Sequence, residues 1–198
     1  GALFSQSAMA VEEPPFETIV KDGKFEVRRY GAQIVAEVEV EADRGGAPNA
    51  GFRPLANYIF GGNIARDKIE MTAPVTQKAS QKIEMTAPVT QAQSAAGNWT
   101  IAFIMPEAWT LETLPIPDDP AVTLRETAPR LVATVRFAGR ARPDAQKEQQ
   151  AELETWLETQ GYRAIGGAEV AFYNAPYVPG PFRRNEVIIP IEALSAVE

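Results

Sequence analysis

Arg183, Arg184, Asn185 and Glu186 stand side by side near the end of a 198-residue chain. A carboxylate beside guanidinium groups can face a cleft and hold a cationic guest, or it can lock into an ion pair. The favoured reading is a latch, with Asn185 in a turn and Glu186 paired to an arginine. Other reactive chemistry is scarce. The chain contains no His and no Cys, which removes thiolate nucleophiles, Cys/His zinc sites, imidazole bases and Ser-His-Asp triads. Glu70 and Glu84 are lone carboxylates on polar strand faces. Met71 and Met85 read as core, and Thr72 and Thr86 have no base nearby to activate them. This inventory favours binding over turnover.

The elements that must position these residues can be read from patterning. "KFEVRRYGAQIVAEVEV" alternates apolar and polar residues on both sides of Tyr30-Gly31, which predicts an antiparallel strand pair. In "GFRPLANYIFGGN", Phe52, Leu55, Ala56, Ile59 and Phe60 share one helical face, with Pro54 in the first turn and Gly61-Gly62 at the end. "NWTIAFIMP" reads as an apolar strand, "AVTLRETAPRLVATVRFAG" as a second strand pair, and "RPDAQKEQQAELETWLETQGY" as a second helix burying Leu153, Trp156 and Leu157. Two last strands flank a Pro-rich loop.

Laying residues 26–38 over 123–135 without a gap matches Arg28 with Arg125, Val35 with Val132, Ala36 with Ala133 and Val38 with Val135. A helix follows both segments. The expectation is an internally duplicated α+β domain over residues 16–192, with halves at about 16–110 and 111–192 and a tail at 193–198. A cleft between such halves suits a buried ligand.

The ten residues "KIEMTAPVTQ" occur twice, at 68–77 and 82–91. Their period of two makes each a half-buried strand, and Pro74 and Pro88 confine it to an edge, bulge or strand end. Pairing the copies around residues 78–80 puts Val75 opposite Ile83 and Ile69 opposite Val89, with all the apolar side chains on one face. This hairpin is favoured over one copy beside "WTIAFIMP" with the other looped out.

A net charge of −7 opposes nucleic-acid binding, and no apolar run of about eighteen residues is present to span a bilayer. Residues 1–15 read as a disordered segment. Within them, Ala8-Met9-Ala10 followed by Glu12-Glu13-Pro14-Pro15 resembles the tail of a secretory signal peptide. That reading places the protein in a periplasm or outside the cell, whereas a plain terminus leaves it cytoplasmic.

"YIFGGN", "KIEMTAPV", "WTIAFIMP", "LPIPDDPAV", "RFAG" and "YNAPYVPGPFRRNEVIIPI" together resemble the SOUL/heme-binding protein family. They follow the family's order, and its bacterial members often double the Met-Thr-Ala-Pro-Val. The resemblance implies a duplicated α+β fold: a distorted, barrel-like antiparallel sheet carrying two main helices, as in GyrI-type effector-binding domains. It further implies non-enzymatic, non-covalent binding of heme or a related tetrapyrrole in a surface cleft beside the first helix, as carrier or buffer. The alternative is an effector-binding or interaction module for another hydrophobic molecule or a protein. The histidine ligand proposed for part of the family has no counterpart here. On this chain the apolar walls would be Phe52, Leu55, Tyr58 and Ile59. The cations at the rim would be Arg53, Lys68, Arg183 and Arg184, and Met71, Met85 or Tyr58 would be the axial donors. Asn57 stands where family members frequently have Lys.

Overall fold

The structure is a computed structural model that describes residues 11–41, 48–66, 79–175 and 177–194. The first half supplies strands β1 (Phe16–Asp22), β2 (Phe25–Tyr30) and β3 (Gln33–Val40), helix α1 (Phe52–Ile59), and strands β4 (Asn63–Ile64), β5 (Val89–Gln93) and β6 (Trp99–Ile104). After β7 (Ile116–Pro117), the second half supplies β8 (Thr123–Thr127), β9 (Arg130–Phe137), helix α2 (Pro143–Glu158), β10 (Tyr162–Ala164), β11 (Glu169–Phe172) and β12 (Asn185–Ala193). Nine of these strands form one antiparallel sheet in the order β1-β2-β9-β12-β11-β5-β6-β3-β8, with β10 joined to β12. This is the expected α+β architecture, two helices on a large curled sheet that makes a half-barrel.

The expected strand pairs form differently. β2 and β3 do not pair with each other across Tyr30-Gly31: β2 pairs with β9, and β3 with β8. β8 and β9 are likewise separated. The halves therefore exchange partners, and they do so in matched register. Val27 lies opposite Ala133 and Arg28 opposite Val132, while the overlaid residues Leu124 and Arg125 lie opposite Ala36 and Val35. At the centre β5 meets β11 with Gln91 opposite Val170, where the pairing pattern turns onto itself. Alternation alone fixes which side chains share a face and leaves open which strand lies alongside.

Both helices lie on one face of the sheet, which follows from tracing register from β9 to β3. α1 covers Ala36, Val38, Ile101 and Phe103 with Leu55, Tyr58 and Ile59. α2 covers Val27, Ala133, Val135, Val187 and Ile189 with Leu153, Trp156 and Leu157, the stripe expected from sequence. Gly51, just before α1, packs so closely on β6 that a Cβ there would lie 2.6 Å from Ile101 Cγ1. The other face carries smaller apolar groups, Tyr30, Val132, Ala171 and Ile188 and Val35, Ala102 and Ile104, among buried Arg28, Thr134 and Glu186. The sheet curls around this helix-free face. Arg125 on β8 is held above the ordinary arginine range first by hydrogen bonds to Glu37, and Glu169 on β11 also acts on it across three intervening strands.

The first copy of the decapeptide lies outside the described residues. In the second copy residues 82–85 are not strand, and only Val89 and the two residues after it enter the sheet, between β6 and β11. Val89, set opposite Ile69 in the hairpin reading, lies instead between Phe103 and Phe172.

Candidate functional site

α1 is short, and its sequence divides it cleanly. Leu55, Tyr58 and Ile59 are 0%, 1% and 1% exposed and belong to the core. The Tyr58 hydroxyl donates to the Pro115 carbonyl at 2.7 Å, and burial pushes the phenol well above its ordinary pKa. Its oxygen is thus committed within the fold, and the three residues expected as cleft walls instead anchor the helix. Flanking this buried face of α1 is a row at i, i+4 and i+8. Phe52 and Phe60 are 41% and 63% exposed, with half-buried Ala56 between them and exposed Arg53 and Asn57 alongside. At about 1.5 Å of rise per residue, the backbone positions of Phe52 and Phe60 lie about 12 Å apart along the helix axis. Phe52 is steadied by Phe103, with ring centroids 5.3 Å apart.

Past the C-terminal end of α1, the Ile83 N–H donates to the Ile59 carbonyl at 2.8 Å. That contact carries the chain beside the helix and leaves Met85, two residues on, partly exposed. Lys68 and Met71 lie outside the described residues. Phe60 is exposed, although sequence reasoning put it on one helical face with Leu55 and Ile59 and did not name it as a site residue. Its position immediately before Gly61-Gly62, beyond the last helical turn, was the signal.

The remaining expected residues stand elsewhere. Arg183 and Arg184 follow a 3-10 turn, Gly180–Phe182, and enter β12. Arg183 Nε donates to the Val178 carbonyl at 2.7 Å. Arg184 stacks on Tyr173, its Cζ 3.6 Å from the ring centroid, and its Nη2 donates to Glu13 at 2.8 Å. Tyr173 faces the helix-free side of the sheet with Tyr30 and Ala171, so Arg184 is separated from α1 by the sheet.

Glu186 is fully buried and forms the latch. Arg28 grips it with two parallel bonds, Nη1 to Oε1 at 2.8 Å and Nη2 to Oε2 at 2.7 Å. Nη2 also donates to Glu26 at 2.8 Å, and the Tyr173 hydroxyl donates to Glu186 Oε1 at 2.6 Å. Burial pulls the Arg28 pKa down, but the hydrogen bonds to Glu186 and Glu26 more than reverse this, keeping the guanidinium charged. Burial and the neighbouring Glu186 charge push the Tyr173 phenol up. Sequence reasoning named Glu186 but missed Arg28 as its partner. The strand alternation that pairs Arg28 with Arg125 puts both on the helix-free face, where Arg125 makes the more exposed pair with Glu37.

Two hollows open beside residues 12–16. One, about 160 Å³, is lined by Glu12, Pro14, Pro15, Ile34, Met105 and Trp109 among others. The other, about 370 Å³ and shallower, is lined by Pro15, Phe16, Arg29, Tyr30 and Pro129 among others. No group of three or more acidic side chains that could hold a metal occurs among the described residues, and no described helix is long and apolar enough to cross a membrane.

The family model of the SOUL heme-binding protein matches residues 11–190. Human heme-binding protein 2 is 40% identical over 81 residues, a match covering 38% of this chain and 40% of the human protein. A solved structure of an uncharacterised conserved protein from Listeria innocua superposes with a TM-score of 0.60 at 14% identity, covering 85% of this chain and 92% of that one. A hydrolase from the same organism superposes at 0.57 and 15% identity, covering 88% and 94%. At such identities the two structures establish the shared fold alone.

Proposed function

The chain belongs to the SOUL heme-binding protein family, and on that premise we propose that it binds heme or a related tetrapyrrole reversibly, as a carrier or buffer without turnover. The observation that carries this reading is the exposed Phe52-Ala56-Phe60 row with Arg53 beside it. A tetrapyrrole is a broad apolar plate with carboxylates at one edge. Two phenyl side chains on backbone positions about 12 Å apart along the helix and a small residue between them give the plate a flat seat. A guanidinium at the edge suits a propionate. Met85, partly exposed beside the helix, offers a thioether, and Lys68 and Met71 belong to the same proposal from sequence alone, as rim cation and thioether. With no histidine in the chain and Tyr58 committed to Pro115, the residues present fit a guest held by its face and edge rather than by a strong axial bond. The absence of turnover is supported by the latch, which ties the one fully buried carboxylate among the described residues to Arg28. An exported location belongs to the same proposal and rests on the small-residue pattern at 8–10.

An absorbance titration with hemin tests the reading. The unmodified protein is expected to give a saturable one-to-one Soret shift, weakened roughly tenfold by Phe60→Asp and by Arg53→Glu, about 1.4 kcal/mol each. A folded sample that gives no shift at micromolar hemin overturns heme binding. A shift indifferent to both substitutions overturns the α1 site.

A further inference from the structure

Residues 12–16 cross the edge of the helix-free face as a strap whose side chains occupy two guanidinium groups in different ways. Glu13 places its carboxylate on the edge of Arg184, accepting from Nη2 at 2.8 Å and Nη1 at 3.3 Å. The plane of that guanidinium is already taken by Tyr173 at 3.6 Å, so what it offers outward is a carboxylate-binding fork. Arg28 is the reverse. Its two terminal nitrogens are spent on Glu186, Glu26 and Tyr30, so toward the strap it offers its plane, and Phe16 covers it with the ring centroid 4.3 Å from Cζ. Phe16 also rests on Tyr30, with centroids 5.3 Å apart. Glu186 joins the two places, bonded to Arg28 and to Tyr173.

The strap is lightly fastened between these points. Pro14 and Pro15 have no N–H to give, and the fixings before them are the Ala87 N–H to the Glu12 carbonyl and the Glu107 N–H to Glu12 Oε2. Hollows open on both sides of Pro15. Each of the two guanidinium groups also keeps a donor that the strap does not use: Arg28 Nε and Arg184 Nε are buried without a hydrogen-bond partner among the described residues.

We infer that this is a binding site for a small aromatic carboxylic acid, with Glu13 and Phe16 as built-in stand-ins for the guest's carboxylate and ring. The guest's carboxylate takes the fork of Arg184, its ring takes the face of Arg28, and the side chains of Glu13 and Phe16 move aside. The site is independent of the row on α1 and lies on the opposite face of the sheet. Because the strap competes with the guest, weakening the strap must tighten binding, an outcome that a passive surface would not give.

Calorimetric titration of the full chain with hydrocinnamate tests this without hemin. Glu13→Gln/Phe16→Ala is expected to lower Kd roughly tenfold, about 1.4 kcal/mol. Adding Arg184→Gln is expected to abolish the heat, and neutral hydrocinnamamide is expected to give none. Arg184→Lys, which keeps the charge without the fork, serves if the glutamine variant melts early, and it is expected to bind at least several-fold more weakly. Equal affinity with and without the strap side chains overturns the proposal. So does binding that survives loss of the fork, or no heat at millimolar hydrocinnamate in the strap variant.

Discussion

Replacing Glu186 by Gln separates a latch from a ligand-facing carboxylate by the sign of its effect on stability. The Glu186 side chain is 0% exposed and that of Arg28 3%, at 2.7 Å. Removing one partner of a buried pair costs about 3–5 kcal/mol, because the other charge is left without compensation. Glu26 remains on Arg28 at 2.8 Å with its side chain 16% exposed, which places the loss at the low end. Glutamine fills the same volume, so no cavity adds to it. The expected cost is thus about 3 kcal/mol, or about 6–12 °C in Tm for a chain of this size. Urea melts should show a lower midpoint at unchanged slope. Arg28→Met/Glu186→Leu should recover part of the loss, since it removes both fully buried charges, while Glu26 and the Tyr173 hydroxyl lose their partners. A Glu186→Gln protein as stable as the unmodified one, or more so, refutes the latch and returns Glu186 to the role of a carboxylate kept for a guest.

Other consequences can be checked directly. Burial raises the pKa of Tyr30, Tyr58 and Tyr173 above the ordinary phenol value of 10.0. Above that pH the unfolded chain releases protons that the folded chain keeps, so stability is intact below pH 10 and declines as pH rises further. Alkaline titration of tyrosinate absorbance should show three of the five tyrosines ionising late, together with unfolding, and ordinary ionisation in the folded protein would contradict their burial. Gly51→Ala puts a Cβ 2.6 Å from Ile101 Cγ1 and 3.0 Å from its Cβ, which should cost about 1–3 kcal/mol as overpacking. A thermal melt within error of the unmodified protein would show that α1 shifts freely. Hemin affinity in the same variant tells whether the row on α1 depends on that seat.

What was legible in the sequence follows from what each signal measures. The α2 stripe was readable because Leu153, Trp156 and Leu157 recur at helical spacing in an otherwise polar segment. α1 was readable as a helix but not as an orientation. It is so short and so apolar that Phe52 and Phe60 fit the buried face as well as Tyr58 does, and only packing against Ile83 and Phe103 decides. Glu186 could be named as an ion-pair partner from "RRNEV", yet its arginine came from residue 28, which no local pattern reveals. Arg184, grouped with Arg53 by charge, lies on the other face of the sheet because β11 and β12 turn their loop that way. The pairing of β2 with β9 was hidden for the same reason, since alternation records which side is wet and nothing about the neighbour.

The exchange of partners between the halves sets an order on the chain's own birth. β2 and β3 leave the ribosome with their second-half mates 106 and 88 positions ahead, Val27 waiting for Ala133 and Ala36 for Leu124. Until then each presents an open ladder rim, and β1 is the only neighbour β2 can recruit. Closing spans of that length is entropically expensive and slow. The molecule therefore becomes one body late, when its second half arrives to complete the first.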